Sequence, residues 1–432
     1  MPEKDGKISL TGSISLGTGV MIGAGIFALV GQVAGFAGDW FPLAFLLGAV
    51  VAGMSSYSYT RYSSVNPSAG GIAMLLKDAY GSGVTAGSFT LFMYVSMVVA
   101  ESLLARTFGT YLLRPFGLQD STILVPILGV LAIVVAVTVN LVGNKFVAGS
   151  ATTTAIMKIV GIAVLAIAGL IGTSVVGDGL FAHSSGDAPN LLGLLAGTTL
   201  CVLAYKGFTT ITNQGDDIRD AKKNIARSIV ISLAICTVLY LLITIAVASS
   251  IGAKGAVEAR DYALAAAAEP IFGQWGMWIT VAIAVVATLS GLLASLYSVS
   301  RLYGMLQEMR QAPSLPERIP QQPLIITAGL AILATVFLDL GQIASMGAFL
   351  YLAMDIAVQW GVIRHLRTKI HAKVWPPVLT ILLDLTILIP FMILKVEDDP
   401  FTVVIAAAVA AAIFAAQIIV VRNRNPADGS MK

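Results

Sequence analysis

The chain has 432 residues, of which 57% are hydrophobic and 11% charged, and its mean hydropathy is +0.88. Those values exclude a soluble globular protein and imply a polytopic protein whose partner is the lipid bilayer. The formal net charge of +3 is an excess that basic loops explain, so no nucleic-acid partner is implied.

Apolar stretches of the roughly 20 residues that a helix needs to cross a bilayer recur along nearly the whole length. Twelve are expected, at residues 10–35, 39–62, 84–113, 121–143, 149–174, 190–214, 227–250, 271–303, 322–340, 343–364, 374–394 and 401–421. The fold class read from them is all-α, with twelve transmembrane helices. The first stretch follows Lys4 and Lys7 and runs on as a full span, which reads as a crossing and not as a cleavable leader.

That first span contains "GTGVMIGAGIF" (residues 17–27), with Gly17, Gly19, Gly23 and Gly25. Glycine inside a helix costs roughly 1 kcal/mol relative to alanine, so the four disfavour a continuous helix by about 4 kcal/mol. Two readings stand side by side. The span is unwound at half depth, or "GVMIG" is a small-xxx-small motif for close helix packing.

After span 2, the glycines of "NPSAGGIAMLLKDAYG" (66–81) suggest a bend. Span 3 holds Glu101 and Arg106, and span 5 holds Lys158 about 15 Å deep at 1.5 Å per residue. Span 6, "LLGLLAGTTLCVLAYKGFTTITN", carries Lys206 and Gly207 near its middle. Polar connectors follow at 215–228, 311–323 and 364–373, and Asp355 and Asp384 lie deep in spans 10 and 11. Cys201 and Cys236 fall within spans and read as small core residues, not as a disulfide.

Orientation follows from the basic residues. Nineteen of the 26 Lys and Arg fall on the side of the N-terminus, four on the other side (Arg114, Lys254, Arg260, Lys395) and three within spans (Arg106, Lys158, Lys206). The bias puts both termini in the cytoplasm and the protein in the cytoplasmic membrane.

The interruptions of spans 1 and 6 occupy the same place if five-span units repeat. The organisation expected is a tail at 1–9, a first repeat at 10–174, a second at 190–364, two further spans at 374–421 and a tail at 422–432. An odd-numbered repeat must be inverted in the membrane, and paired interruptions in inverted repeats point to a transporter binding site at the midplane. Freed peptide N–H groups there form a positive pole for a carboxylate, and freed carbonyls attract an ammonium. An α-amino acid carries both charges.

At these residues the sequence resembles the amino acid-polyamine-organocation (APC) family of transporters. The motifs are "GVMIGAGIF", "PSAGGIAMLLKDAYG", "LAYKGFTTITNQGDDIRDAKKNIARSI" and "YSVSRLYGM". Within the family it resembles most the archaeal proton-coupled, broad-specificity amino acid transporters, through the style of span 1 and the lysine of span 5. The resemblance implies a leucine-transporter-type fold with two inverted five-helix repeats and broken helices 1 and 6, moving spans 1, 2, 6 and 7 against spans 3, 4, 8 and 9. Three departures bear on substrate range: an acidic pair at Asp216 and Asp217, Lys206 at an ordinarily apolar position, and Leu293 in place of a common asparagine.

The substrate site so implied uses the carbonyls of Val20 and Met21, with those of Leu203 and Lys206, for the ammonium, and the amides of Gly23, Ala24 and Gly25 for the carboxylate. Ala204, Tyr205 and Gly207 complete the seat. The resemblance places Lys158 between spans 1 and 8, where its ammonium replaces a sodium ion with the Gly19 carbonyl and the Ser290 hydroxyl as partners. A lysine at that depth either loads and releases a proton during transport or ties helices together as a permanent charge. Glu101 and Lys206 either neutralise each other as a buried pair or select a charged substrate. Asp355 is expected at a gate, Asp384 against a polar neighbour and Arg106 at the outer vestibule; Tyr205, Phe208 and Tyr297 either close over the substrate or, the more usual role of a single aromatic, pack between helices.

Enzymatic readings find no support. His183, His365 and His371 lie in expected loops, and there is no HExxH, P-loop or serine-elbow motif. No cofactor or metal is expected. The function expected is secondary active transport of an α-amino acid or close analogue, coupled to a proton through Lys158; the alternatives are a polyamine or organocation carrier, an amino acid exchanger, or a sensor that binds without transport.

Overall fold

The computed structural model describes residues 7–68, 70–142, 144–176, 190–314 and 320–423. Lys4, His183, Arg424, most of both terminal tails and the side chains of Ala24 and Lys145 lie outside the described residues. The described chain is nearly all helical. In order it forms α1 (Leu10–Ala37), α2 (Phe41–Val65), α3 (Gly71–Tyr80), α4 (Val84–Leu113), α5 (Leu124–Val142), α6 (Asn144–Val176) and α7 (Leu191–Tyr205). There follow α8 (Thr209–Thr212), α9 (Ala221–Ala259), α10 (Ala263–Glu308), α11 (Gln322–Phe337), α12 (Leu340–Gly361), α13 (Trp375–Asp398) and α14 (Pro400–Arg422). Among the described residues, nine helical stretches are long and apolar enough to cross a membrane; three of them hold more than one helix, α1 with α2, α7 with α8, and α9 with α10.

Local chemistry sets the helix starts. The Ser9 hydroxyl accepts from the Gly12 amide, the Asn190 side chain accepts from Leu192 and Gly193, and Asp339 with Gln342 forms a reciprocal capping box. Proline opens α2, α11, α13 and α14, where its missing N–H has no intrahelical partner to lose. Ile127, Leu131, Val160, Val164, Leu382, Ile389, Val404 and Ile419 are exposed on α5, α6, α13 and α14, as lipid-facing side chains would be.

Helix α1 sits at the centre, packed against α9, α7, α10, α6 and α4. It is a continuous α-helix, so the expected break in span 1 is absent in this conformation. The glycines serve packing instead. A Cβ on Gly17 would meet Ile211 and Ser232, on Gly19 Lys158, on Gly23 Leu104 and Ala287, and on Gly25 Tyr240 and Ala204. Each glycine admits a different neighbour, and that close packing offsets the weak helix propensity.

Span 6 does change character where expected. After α7 the backbone tightens into a 3-10 turn at Lys206–Phe208 before the single turn of α8. Two further irregularities were not expected in detail. Helix α3 lies between positive-φ glycines, Gly71 (φ 32°) and Gly81 (φ 73°), and the segment 253–272 lies between Gly252 (φ 66°) and Gly273 (φ 60°). Both are elbows, and only glycine enters that region without strain.

Candidate functional site

Lys158, on α6, is 1% exposed and its ammonium donates to the Gly19 carbonyl of α1 at 3.2 Å. That carbonyl also lies 3.4 Å from where a Cβ on Gly291 of α10 would sit, so α1, α6 and α10 converge there. Among the described residues no carboxylate is in ion-pair contact with Lys158. The expected Ser290 contact is absent: its hydroxyl donates back to the Val286 carbonyl at 2.6 Å within its own helix.

The rest of the anticipated seat is closed. In a continuous helix the amides of Gly23, Ala24 and Gly25 bond to the carbonyls of Gly19, Val20 and Met21, which leaves none free for a carboxylate. The Met21 carbonyl also accepts from the Tyr240 hydroxyl at 2.6 Å. A Cβ on Gly207 would lie 2.9 Å from the Met21 amide nitrogen, so the 3-10 turn of span 6 rests directly on α1. Leu203, Ala204, Tyr205 and Lys206 are all buried at this seam.

Lys206 and Glu101 do not form the expected ion pair. The Lys206 ammonium donates to the Ser96 carbonyl at 2.8 Å and to the Ser96 hydroxyl at 2.6 Å, and lies 5.7 Å from the Tyr351 ring centroid. Ser96 in turn donates to the Gly347 carbonyl, which ties α4 to α12. Glu101 receives one hydrogen bond from Ser295 at 3.3 Å, and its second oxygen is buried without a donor. A serine five residues earlier on the same helix satisfies the ammonium, and the carboxyl is left to α10.

Other expected residues fall elsewhere. Tyr297 lies off the α1–α7 seam, in a cluster at the face of the N-terminus, where Asp217 accepts from Arg301 at 2.7 Å and from the Tyr297 hydroxyl at 3.4 Å. Beside it, Ile8 pairs with the chain at Asp217 and Arg219, so the N-terminal segment covers the loop after α8. Phe208 packs edge-on against Tyr59, and the Leu293 carbonyl accepts from Asn140. Arg106 donates to the Thr335 carbonyl of α11. Cys201 and Cys236 are buried free thiols.

At the opposite face a cavity of about 570 Å³ opens between α1, α9, α12 and α13. Its charged lining is Arg260, Asp261, Asp339, Lys395, Asp398 and Asp399. Sequence reasoning missed Tyr240, Ser96 and Ser295. A lone tyrosine inside the apolar run "TVLYLLITIAV" was the available signal for the first; serines in a helix give none, because they ordinarily bond to their own backbone.

Comparison with known proteins agrees with this architecture. The chain is 30% identical over 395 residues to the inner membrane transport protein YbaT of Escherichia coli, covering 89% of each chain. It is 26% identical to the vacuolar cationic amino acid transporter 4 of Arabidopsis thaliana (79% of this chain, 60% of the relative). It is 24% identical to the serine/threonine exchanger SteT of Bacillus subtilis (71% and 69%). A family model described as amino acid permease matches residues 8–428. With that match running nearly end to end, the chain belongs to the amino acid permease family of the APC transporters.

Proposed function

We propose that the protein is a twelve-span secondary active transporter that carries an α-amino acid across the cytoplasmic membrane by alternating access, together with a proton held at Lys158. The observation that carries this reading is the Lys158 ammonium: fully enclosed, joined to the central helix at Gly19, and without a carboxylate in contact among the described residues. A charge so placed is functional by default, and moving its proton on and off makes or breaks the bond between α6 and α1. The twelve spans are α1, α2, α4, α5, α6, α7 with α8, and α9 to α14. Both termini face the cytoplasm, in keeping with the distribution of basic residues.

The inverted repeats, at 10–174 and 190–364, draw support from the two glycine-bracketed elbows. One follows span 2 at the face of the N-terminus, and its counterpart follows span 7 at the opposite face. The substrate seat lies along the α1–α7 seam, at Leu203, Ala204, Tyr205, Lys206 and Gly207, with Glu101 beside it. Val20, Met21, Gly23, Ala24 and Gly25 lend backbone groups only once α1 opens at its glycines.

Uptake of labelled amino acids into proteoliposomes under imposed proton gradients tests the reading. Wild-type protein is expected to concentrate substrate as the gradient increases, and Lys158→Ala to lose that dependence. Full proton-driven accumulation by Lys158→Ala would end the proton-carrier assignment. A second reading, exchange, is favoured by the similarity to a relative named a serine/threonine exchanger. It predicts uptake only into vesicles preloaded with amino acid. Glu101, with one oxygen lacking a donor, favours a cationic substrate as the third reading, and amine competition tests it.

A further inference from the structure

Asp355 on α12 and Asp384 on α13 are both 0% exposed, and their carboxyl groups lie within hydrogen-bonding reach of each other across the contact between the two helices. One Asp355 oxygen accepts from the Tyr59 hydroxyl at 2.6 Å and from the Gln359 amide at 3.2 Å. Among the described residues, its other oxygen and both oxygens of Asp384 are buried without a well-aligned donor. The buried Ser55 hydroxyl lies beside the pair, within hydrogen-bonding reach of Asp355 and of the Tyr351 hydroxyl.

Among the described residues, no cation is in ion-pair contact with either carboxyl. Helix α2 presents Tyr59 and Ser55, and α7 presents Thr199, which bonds to the Ile387 carbonyl. Lys206 is spent on Ser96 and faces the Tyr351 ring. Helix α4 brings Glu101, which is bonded to Ser295 on α10. Helix α3 brings Lys77 and Asp78, the latter bonded to Tyr62. Helix α1 holds no charged residue, α14 only Arg422 at its end, and Arg364 and His365 lie in the turn beyond α12.

Two ionised carboxylates in contact repel strongly, whereas one proton between them turns the contact into a strong O–H···O hydrogen bond. We propose that Asp355 and Asp384 share a single proton, forming a proton-binding site that joins α12 to α13. Release of that proton removes the bond and leaves two like charges at the seam, driving the helices apart. The proposal stands whether or not Lys158 carries a proton, since it shares no residue with that site.

Infrared spectroscopy of the full-length protein in lipid nanodiscs, with the aspartate carboxyl carbon isotopically labelled, tests it. A protonated-carboxyl band that shifts with the label and persists above neutral pH is expected. It should be lost in Asp384→Asn, whose amide donates to Asp355 in place of the proton, and retained in Glu101→Gln. Wild-type protein without a label-shifted band above neutral pH would overturn the proposal, and that measurement needs no variant to fold. A labelled band surviving undiminished in folded Asp384→Asn would overturn it too.

Discussion

At the scale of single residues, the same amino acid in one helix meets opposite demands. Gly25 faces Ala204, where an added Cβ would lie 2.8 Å from its neighbour's, while a Cβ on Gly35 would meet nothing within 4 Å. Gly25→Ala is therefore expected to destabilise by about 1–3 kcal/mol through overpacking. Gly35→Ala should be neutral or stabilise by up to about 1 kcal/mol through helix propensity. Thermal midpoints in lipid nanodiscs measure both; shifts of the same sign would contradict the packing role. The glycine run was legible as unusual, but sequence alone left two readings because propensity is a local quantity. Which reading holds depends on neighbours contributed by residues 104, 158, 204, 211 and 240, far along the chain. Lys158 was legible to the level of its Gly19 partner. Lys206 was not, because Ser96, five residues before Glu101 on the same helix, takes the ammonium in its place.

At the scale of elements, the face bearing the N-terminus is held shut by three pieces: Ile8 paired beside Ile218, the Arg301–Asp217 ion pair, and an apolar plug of Leu16, Val20 and Ala294. The ion pair is part-exposed and contributes at most about 1 kcal/mol, roughly a fivefold change in how often that face opens. Arg301→Ala is accordingly expected to raise the thiol-labelling rate of Ala294→Cys up to a few-fold. An unchanged rate would mean that Ile8 and the plug alone hold the face. The nearly all-helical class and the recurrence of long apolar helices could be read from the sequence because apolar length is a composition property. The elbow at 253–272 was harder to see, since its alanines look like helix and only Gly252 and Gly273 mark its ends.

At the scale of the whole molecule, the central α1 surrounded by five helices and the outer shell of α5, α6, α13 and α14 divide a packed interior from a surface of exposed aliphatic side chains. The interior is where polar groups gather in pairs or threes, each set spanning two or more helices: Lys158 with Gly19, Lys206 with Ser96, Asp355 with Asp384. The mouth on the far side has a bias of its own. Four aspartates against one arginine and one lysine surround it, an electrostatic funnel that attracts positive visitors and leaves neutral ones indifferent. Added salt shortens the reach of that attraction to about 8 Å at physiological ionic strength and less above it. Half-saturation for a dibasic amino acid should then rise with sodium chloride, while that for alanine stays flat; equal drift for both would show that arrival is not guided by charge.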